Sequence, residues 1–384
     1  MLITKQKDLE AFCEQVRGAA YITVDTEFLR EKNYYPKLCL VQIGDPDKNA
    51  AAIDPLAEGI DLSPVFDLFD DPNILKIFHA GRQDLEIFYN LTGRIPAPMF
   101  DTQIAAMVCG YGESAGYETL VRTITGAAID KSSQFTKWAA RPLTQKQIDY
   151  AIGDVTHLVD VYEALSQKLT DTKRTEWVLE ENAILNNPAT YAVDPQNAWK
   201  RVKLRSPKPK TLVILKALAA WREQRAQHKN LPKTWIMKDD TLAAIAHAAP
   251  RSPQELKKIR NLADSYSSGR NAQTILDCVK DALASDPKTW PSAPARKASN
   301  PEDVHIIEFL KFLLKMQAEA HDVAQKLIAN KDDLVLLAES DDADIPAMRG
   351  WRYDVFGQHA KALKAGKLSL GLNGKTIVQY DVGE

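Results

Sequence analysis

Carboxylates form the most chemically pointed pattern in this sequence. Asp25 and Glu27 sit two apart at the end of a β-prone run, Tyr21 to Phe28, and the two-residue period of a strand projects both from one face. Asp84 follows another such run, Ile74 to Phe78, through His79-Ala80-Gly81-Arg82-Gln83, and falls where a helix would begin. Tyr150 and Asp154 are four apart in a stretch of helical periodicity and share a helix face. Acidic oxygens gathered together are donors that Mg²⁺ and Mn²⁺ accept, and such cations beside a phosphate can drive its hydrolysis. Each piece also has a plain reading. A strand end can carry two solvated acids, an acid at a helix start is favoured by the macrodipole, and Tyr and Asp four apart make an ordinary surface pair.

Positioning these residues takes a sheet and helices. Tyr21-Ile22-Thr23-Val24, Leu38 to Ile43 and Ala50 to Ile53 are short β-prone runs with connections too short for crossover helices, which predicts three antiparallel strands in a meander. A further strand is expected over Ile74 to Phe78, a helix over Asp84 to Leu91, part of a helix over Ile104 to Val108, and a long helix over Gln145 to Leu169. Residues 1–185 therefore read as an α/β domain, a mixed sheet flanked by helices. Two Pro-rich polar stretches, 186–210 and 285–301, read as linkers. The segments after them, 211–284 and 302–384, are almost wholly helical in pattern and read as two small all-α modules.

The 384 residues are 45% hydrophobic and 26% charged, which excludes a disordered or collagen-like chain. No run reaches the roughly 18 apolar residues of a bilayer span, and Met1 to Lys5 lacks the pattern of a secretory leader, so neither a membrane nor a secreted protein is expected. Cys13, Cys39, Cys109 and Cys278 are scattered without a CxxC pair; a reducing, cytoplasmic compartment is expected rather than a disulfide framework or zinc site. The net charge of -2 conceals an asymmetry. Residues 1–160 carry 15 Lys+Arg against 23 Asp+Glu, and the remainder 34 against 28, so an acidic, metal-compatible part precedes a basic one suited to a polyanion.

Taken together, Asp25-x-Glu27, Asp84 and Tyr150-x3-Asp154 resemble the three motifs of the DEDD exonuclease superfamily, in its tyrosine-containing branch. The surroundings narrow the match: Val24 to Phe28, Val41-Gln42-Ile43, His79-Ala80, Asp84-Leu85, Phe100-Asp101-Thr102, and Lys131 to Trp138 followed by Arg141-Pro142-Leu143 are similar to ribonuclease D over the first 170 or so residues. Where many relatives place an Asn shortly before the second-motif acid, this chain has His79 to Gln83, a variant typical of that branch, and His79 is left a structural role.

The resemblance implies an RNase H-like fold and two divalent cations, Mg²⁺ or Mn²⁺. By the same carry-over Asp25 bridges both, Glu27 and Asp154 hold the cation that activates water, Asp84 supports the other, and Tyr150 orients or helps deprotonate the water. Phe28, Lys131, Gln134, Trp138 and Arg222 are the candidate substrate contacts; Arg82, Lys137 and Arg141 are further candidates for phosphate and Phe135 for a base. Asp101 is expected to support the site or cap a helix. Each of these has a packing or surface reading beside the functional one.

Lys216 to Glu223, Leu231 to Leu242 and Pro253 to Leu256 resemble an HRDC domain, the helical module shared by RecQ-like helicases and ribonuclease D. Residues 302–384 resemble a second, divergent copy, in Leu334 to Ala338 and Met348 to Gly357. Ten Lys+Arg against the single acid Glu223 over residues 201–235 make a candidate phosphate-binding surface or a solvated helix face, and Trp221 and Trp235 are expected in the core. The expectation is a metal-dependent 3′–5′ exoribonuclease that trims structured RNA such as tRNA precursors to nucleoside 5′-monophosphates, with no obligate protein partner. A DNA 3′–5′ exonuclease and a catalytically silent RNA-binding adaptor are the alternatives.

Overall fold

A computed structural model describes residues 1–205, 207–292 and 301–382, with the backbone alone at 301 and 302. Ser206 in the first predicted linker and 293–300 in the second lie outside the described residues. A six-stranded sheet organises the first domain. Its strands are β1 (Leu2–Ile3), β2 (Tyr21–Leu29), β3 (Lys37–Gly44), β4 (Ala50–Ile53), β5 (Leu75–Phe78) and β6 (Met99–Asp101), in spatial order β1-β4-β3-β2-β5-β6. β2, β3 and β4 form the antiparallel meander expected from their short connections, while β5 and β6 join in parallel.

Helices α1 (Gln6–Val16), α2 (Ser63–Asp70) and α3 (Arg82–Thr92) cover one face. There Phe12, Val65, Leu68, Leu85 and Phe88 pack on Ile22, Val24, Val41 and Ile43. α4 (Thr102–Val108), α5 (Tyr117–Thr125), α6 (Gln145–Asp171) and α7 (Thr175–Leu185) belong to the other face. α6 starts with a capping box in which the Thr144 hydroxyl and the Gln147 side chain satisfy each other's backbone donors. At about 1.5 Å per residue its 27 residues span roughly 40 Å. The Thr23 hydroxyl donates to Val155 O at 2.9 Å, and a Cβ at Gly44 would meet Thr23 Oγ1 at 2.7 Å, so a residue without a side chain lets α6 lie close on the sheet.

The second unit is built on α8 (Pro209–Lys229), followed by α9 (Lys233–Ile236), α10 (Asp239–Ala248), α11 (Pro253–Leu256), α12 (Asp264–Ser267) and α13 (Gly269–Ala284). Its core reaches back into the stretch read as a linker: Ala198 and Val202, from a 3₁₀ segment at Pro195–Arg201, are buried against Leu215, Leu218 and Ile275. Tyr191, earlier in that stretch, packs instead into the sheet domain. Part of the first predicted linker is thus packed structure, because Tyr191 reaches one core and Ala198 and Val202 another.

The third unit contains α14 (Pro301–Ala320), α15 (Gln325–Ile328), α16 (Lys331–Glu339) and a helical stretch over 350–364. It is not all helical. A hairpin, β7 (Leu368–Asn373) with β8 (Thr376–Asp381), ends the described chain, turning at Gly374, whose φ is +63°. Alternating apolar residues on either side of Asn373-Gly374 explain it.

This unit docks on the sheet domain through α7. Trp177 and Trp351 stack with centroids 4.2 Å apart and planes 9° apart. Arg352, buried, donates to Glu180 at 2.6 Å and to Leu327 O at 2.6 Å, and pairs with Glu181. Removing one partner of a buried ion pair leaves an uncompensated charge. Arg352→Ala is therefore expected to cost about 3 kcal/mol in chemical denaturation and to speed proteolytic release of residues 301–382; an unchanged midpoint would show that the pair holds nothing.

Candidate active site

The strand period and the helix period meet at one place. On β2, Thr23, Asp25 and Glu27 face α6, and a bulge between Glu27 and Phe28 re-aims the strand end. On α6, one turn brings Asp154 over that face with Tyr150 beside it. Carboxylate oxygens of Asp25, Glu27 and Asp154 all lie within 4.8 Å of one another. Asp84, at the start of α3, does not join that group within the same distance; its Oδ1 accepts a hydrogen bond from the Thr26 hydroxyl.

Among the described residues no ion pair neutralises any of the four acids. Burial pushes the Asp25 carboxyl up to about 6. Burial, then Asp25, Asp154 and Asp84, push Glu27 up to about 10. Asp84 and Asp154 are raised by burial and then by Asp25. Three clustered oxygen donors with a fourth nearby and no compensating cation fit a hard divalent ion, whose charge would reverse each of these shifts.

Supporting bonds fix the four acids. Asp101 caps α4 through Gln103 N and Ile104 N and also accepts from Ala80 N and Gly81 N, which holds the turn entering α3; it supports the site as expected. Tyr117 donates to Asp154 O at 2.7 Å. His79 is half-buried and contacts Thr102 Oγ1 at 3.0 Å, a structural position. Tyr150 hydrogen-bonds Asp154, and burial followed by the fields of Asp154, Glu27 and Asp25 raises its phenol, so near neutral pH it is a donor.

The candidate substrate contacts divide. Trp138 is buried, 6.1 Å from the Tyr150 ring, in a cluster with Leu40, Leu143 and Ala151; it backs Tyr150 and offers no face to a base. Arg222 is 1% exposed and donates to Met237 O at 2.9 Å and Asp239 at 2.7 Å, so it bonds within its own module and cannot reach RNA. Arg225 is likewise engaged, on Asn271 and over the Trp221 and Tyr266 rings. Arg141 clasps Asp54 with two bonds and reaches Cys39 O at 2.8 Å, tying the segment before α6 to the sheet. Phe28 is half-buried against the core. Lys131 is paired with Glu118 at 2.8 Å, and Gln134 stands exposed beside Phe135, which is 93% exposed. Trp235, expected in the core, is 58% exposed.

Gln42 was not among the candidates. It lies directly across from Asp25 on β3, fully buried, with no partner for either amide atom among the described residues. Its cross-strand pairing places it beside that carboxylate, and the signal was an amide inside an otherwise apolar strand.

Curated relatives match along the whole length. A ribonuclease D from Granulibacter bethesdensis is 46% identical over 383 residues, covering 100% of this chain and 97% of that protein. The chain belongs to the ribonuclease D family. A second ribonuclease D, from Nitrobacter hamburgensis, is 45% identical and covers 99% of both chains. The family model for a 3′–5′ exonuclease matches residues 1–170 and that for an HRDC domain residues 211–279. The crystal structure of Escherichia coli RNase D, described as an exoribonuclease involved in structured RNA processing, superposes with a TM-score of 0.83 at 30% identity, covering 95% of this chain and 98% of that one. As a ribonuclease D the chain is a 3′–5′ exoribonuclease with one matched HRDC domain, and the DEDD superfamily of the exonuclease domain is divalent-metal dependent.

The acid cluster has a consequence for stability. A carboxyl whose pKa is raised in the folded state stabilises fully only below its unfolded value near 4, and that contribution is lost as pH rises towards the folded value. In EDTA, Glu27→Gln should therefore raise the thermal midpoint at pH 7.5 by about 2–4 °C, the shift that about 1 kcal/mol produces in a domain of this size, with the gain vanishing near pH 4. Mg²⁺ or Mn²⁺ should raise the wild-type midpoint more than the variant's. Equal midpoints in calorimetry at both pH values would remove the repulsion argument.

Proposed function

We propose that this exoribonuclease trims the 3′ ends of structured RNAs, tRNA precursors in particular, one nucleotide at a time to nucleoside 5′-monophosphates, and that it works in the cytoplasm. The observation that carries this reading is the convergence of Asp25, Glu27 and Asp154 within 4.8 Å, with Tyr150 bonded to Asp154. The involvement of the Escherichia coli protein in structured RNA processing supports the substrate class. Among the described residues no helix is long and apolar enough to cross a membrane.

Two Mg²⁺ or Mn²⁺ ions, when bound, would supply a nucleophilic water at neutral pH and stabilise the charge on the attacking and leaving oxygens. Asp25, central to the carboxylate group, would be shared between them; Glu27 and Asp154 would hold the ion on the water side, and Asp84 would support the other. Tyr150, held as a donor by Asp154 and backed by Trp138, orients the attacking water through its phenol oxygen. An ordinary phenol, with a pKa of about 10, is a poor base at neutral pH. Lys131, Gln134 and Phe28 would meet the terminal nucleotides, by charge, amide bonding and ring contact respectively. Residues 302–384 act as a second, divergent HRDC-like module that shapes access for folded RNA.

The test is a product time course on a 3′-extended tRNA and a matched single-stranded DNA, with Mg²⁺, Mn²⁺ or EDTA. Stepwise 3′ shortening of the RNA is expected with either metal and none in EDTA. Asp25→Ala should lose at least about 10³-fold in kcat, Asp154→Asn should lose cleavage while keeping RNA binding, and Tyr150→Phe should fall about 10²-fold. Metal-independent cleavage, or degradation of the DNA alone, would sink the reading.

A further inference from the structure

A cleft of about 670 Å³ lies between the sheet domain and the first helical module, outside the acid cluster. Its volume is within the roughly 300–1,000 Å³ of small-ligand sites. One wall is a face of α3, where Arg82, Glu86, Tyr89 and Asn90 recur at helical spacing. The facing wall comes from Glu223 and Gln227 of α8 and Lys233 of α9. Tyr34 and Tyr35, from the loop after β2, and Tyr191 contribute the rest of the aromatic surface. The walls are latched together: Tyr34 Oη donates to Glu223 at 2.5 Å, Gln227 Nε2 donates to Tyr34 Oη at 3.3 Å, and Tyr35 N donates to Asn230 Oδ1 at 2.9 Å. A site fixed this way is formed before its ligand arrives.

Rings and charge indicate what that ligand is. Tyr34 and Tyr35 lie with centroids 4.8 Å apart, and Tyr89 and Tyr191 6.0 Å apart. The α9 turn that lines the cleft also carries the exposed Trp235. Among the charged groups, Arg30 is spent on Glu86 through two bonds and Glu223 is taken by Tyr34. Arg82, Arg201 and Lys233 have no ion pair among the described residues, and Glu31 is the one lining acid likewise unengaged. A surplus of cations beside the exposed Tyr35 ring and the half-buried Tyr34 and Tyr89 rings suits a base joined to a phosphate.

The cleft also adjoins the acids. β2 carries Asp25 and Glu27 and runs directly into the loop of Tyr34 and Tyr35, and Arg82 is two residues from Asp84. Tyr191 lies in the fields of both Arg82 and Asp84.

We infer that this cleft binds a nucleotide, its base among the tyrosines and its phosphate at Arg82, Arg201 and Lys233. In the working enzyme the nucleotide belongs to the RNA strand behind the 3′ end. That last step rests on the exoribonuclease reading above, whereas nucleotide binding itself does not.

The experiment measures binding by the full-length protein in EDTA, so that no cleavage intervenes, with a single-stranded oligoribonucleotide and with adenosine 5′-monophosphate as probes. Tyr35→Ala, which changes no charge, and Arg82→Gln with Arg201→Gln alter exposed side chains, and unchanged thermal midpoints would verify the fold. The oligonucleotide Kd is expected to rise about threefold for the first variant and at least tenfold for the second. Loss confined to the oligonucleotide assigns the cleft to the strand; an equal loss for the monophosphate assigns it to free nucleotide. Affinities equal to wild type for both probes would overturn the inference. If the wild type binds the oligonucleotide through these residues yet degrades no RNA when metal is added, the exoribonuclease reading fails while the site stands.

Discussion

Mutual repulsion among crowded carboxylates is the constraint on which the rest of this structure depends. Asp25, Glu27 and Asp154 are held with their oxygens within 4.8 Å and no cation of the protein's own among them. Left to relax, such a group would splay or draw in a lysine. It is instead confined largely through the backbone around it, by Tyr117 on the carbonyl of Asp154, Thr23 on the carbonyl of Val155 and Asp101 on the turn before Asp84, with Thr26 on Asp84 Oδ1 itself. The sheet and α6 act as a clamp that stores unfavourable charge for a divalent ion to release.

Two basic residues that the sequence offered as phosphate contacts are bound elsewhere, Arg141 to Asp54 and backbone carbonyls and Lys131 to Glu118, while Arg82 near Asp84 has no ion pair among the described residues. Within the helical module, two of the ten basic residues between 201 and 235 serve its own packing. Of the run, Arg222 is buried and Arg225 half-buried, while most of the other basic residues lie at the surface.

The acid site was legible because each part follows a short-range rule. Alternation put Asp25 and Glu27 on one face, a four-residue step paired Tyr150 with Asp154, and short connections set the meander. Trp138 and Arg222 were harder, since residue type suggests a role and only packing decides it. For Arg222 the periodicity held the answer: Leu215, Leu218, Ala219, Arg222 and Ala226 form one buried stripe of α8, and Arg222 lies within it. The terminal hairpin was also signalled, by alternation around Asn373-Gly374, and was hidden by the expectation of a second helical copy. The packing of Ala198 and Val202 was not legible in the same way, because a Pro-rich polar stretch dilutes two contacts that exist only once α8 stands beside them.

Rigidity between the units follows from how their contacts are distributed. The third unit is held on α7 by an aromatic stack and a buried arginine, and on α4 and the loop after it by Ala324 N donating to Met107 O at 2.9 Å and Gln325 N donating to Glu113 at 2.8 Å. The first helical module is held at the loop after β2, through Tyr34 and Tyr35. The first module is attached to the loop that follows the strand of Asp25 and Glu27, whereas the third is attached to helices that carry none of the four acids. Loosening an attachment would be felt as lost positioning before it was felt as lost chemistry.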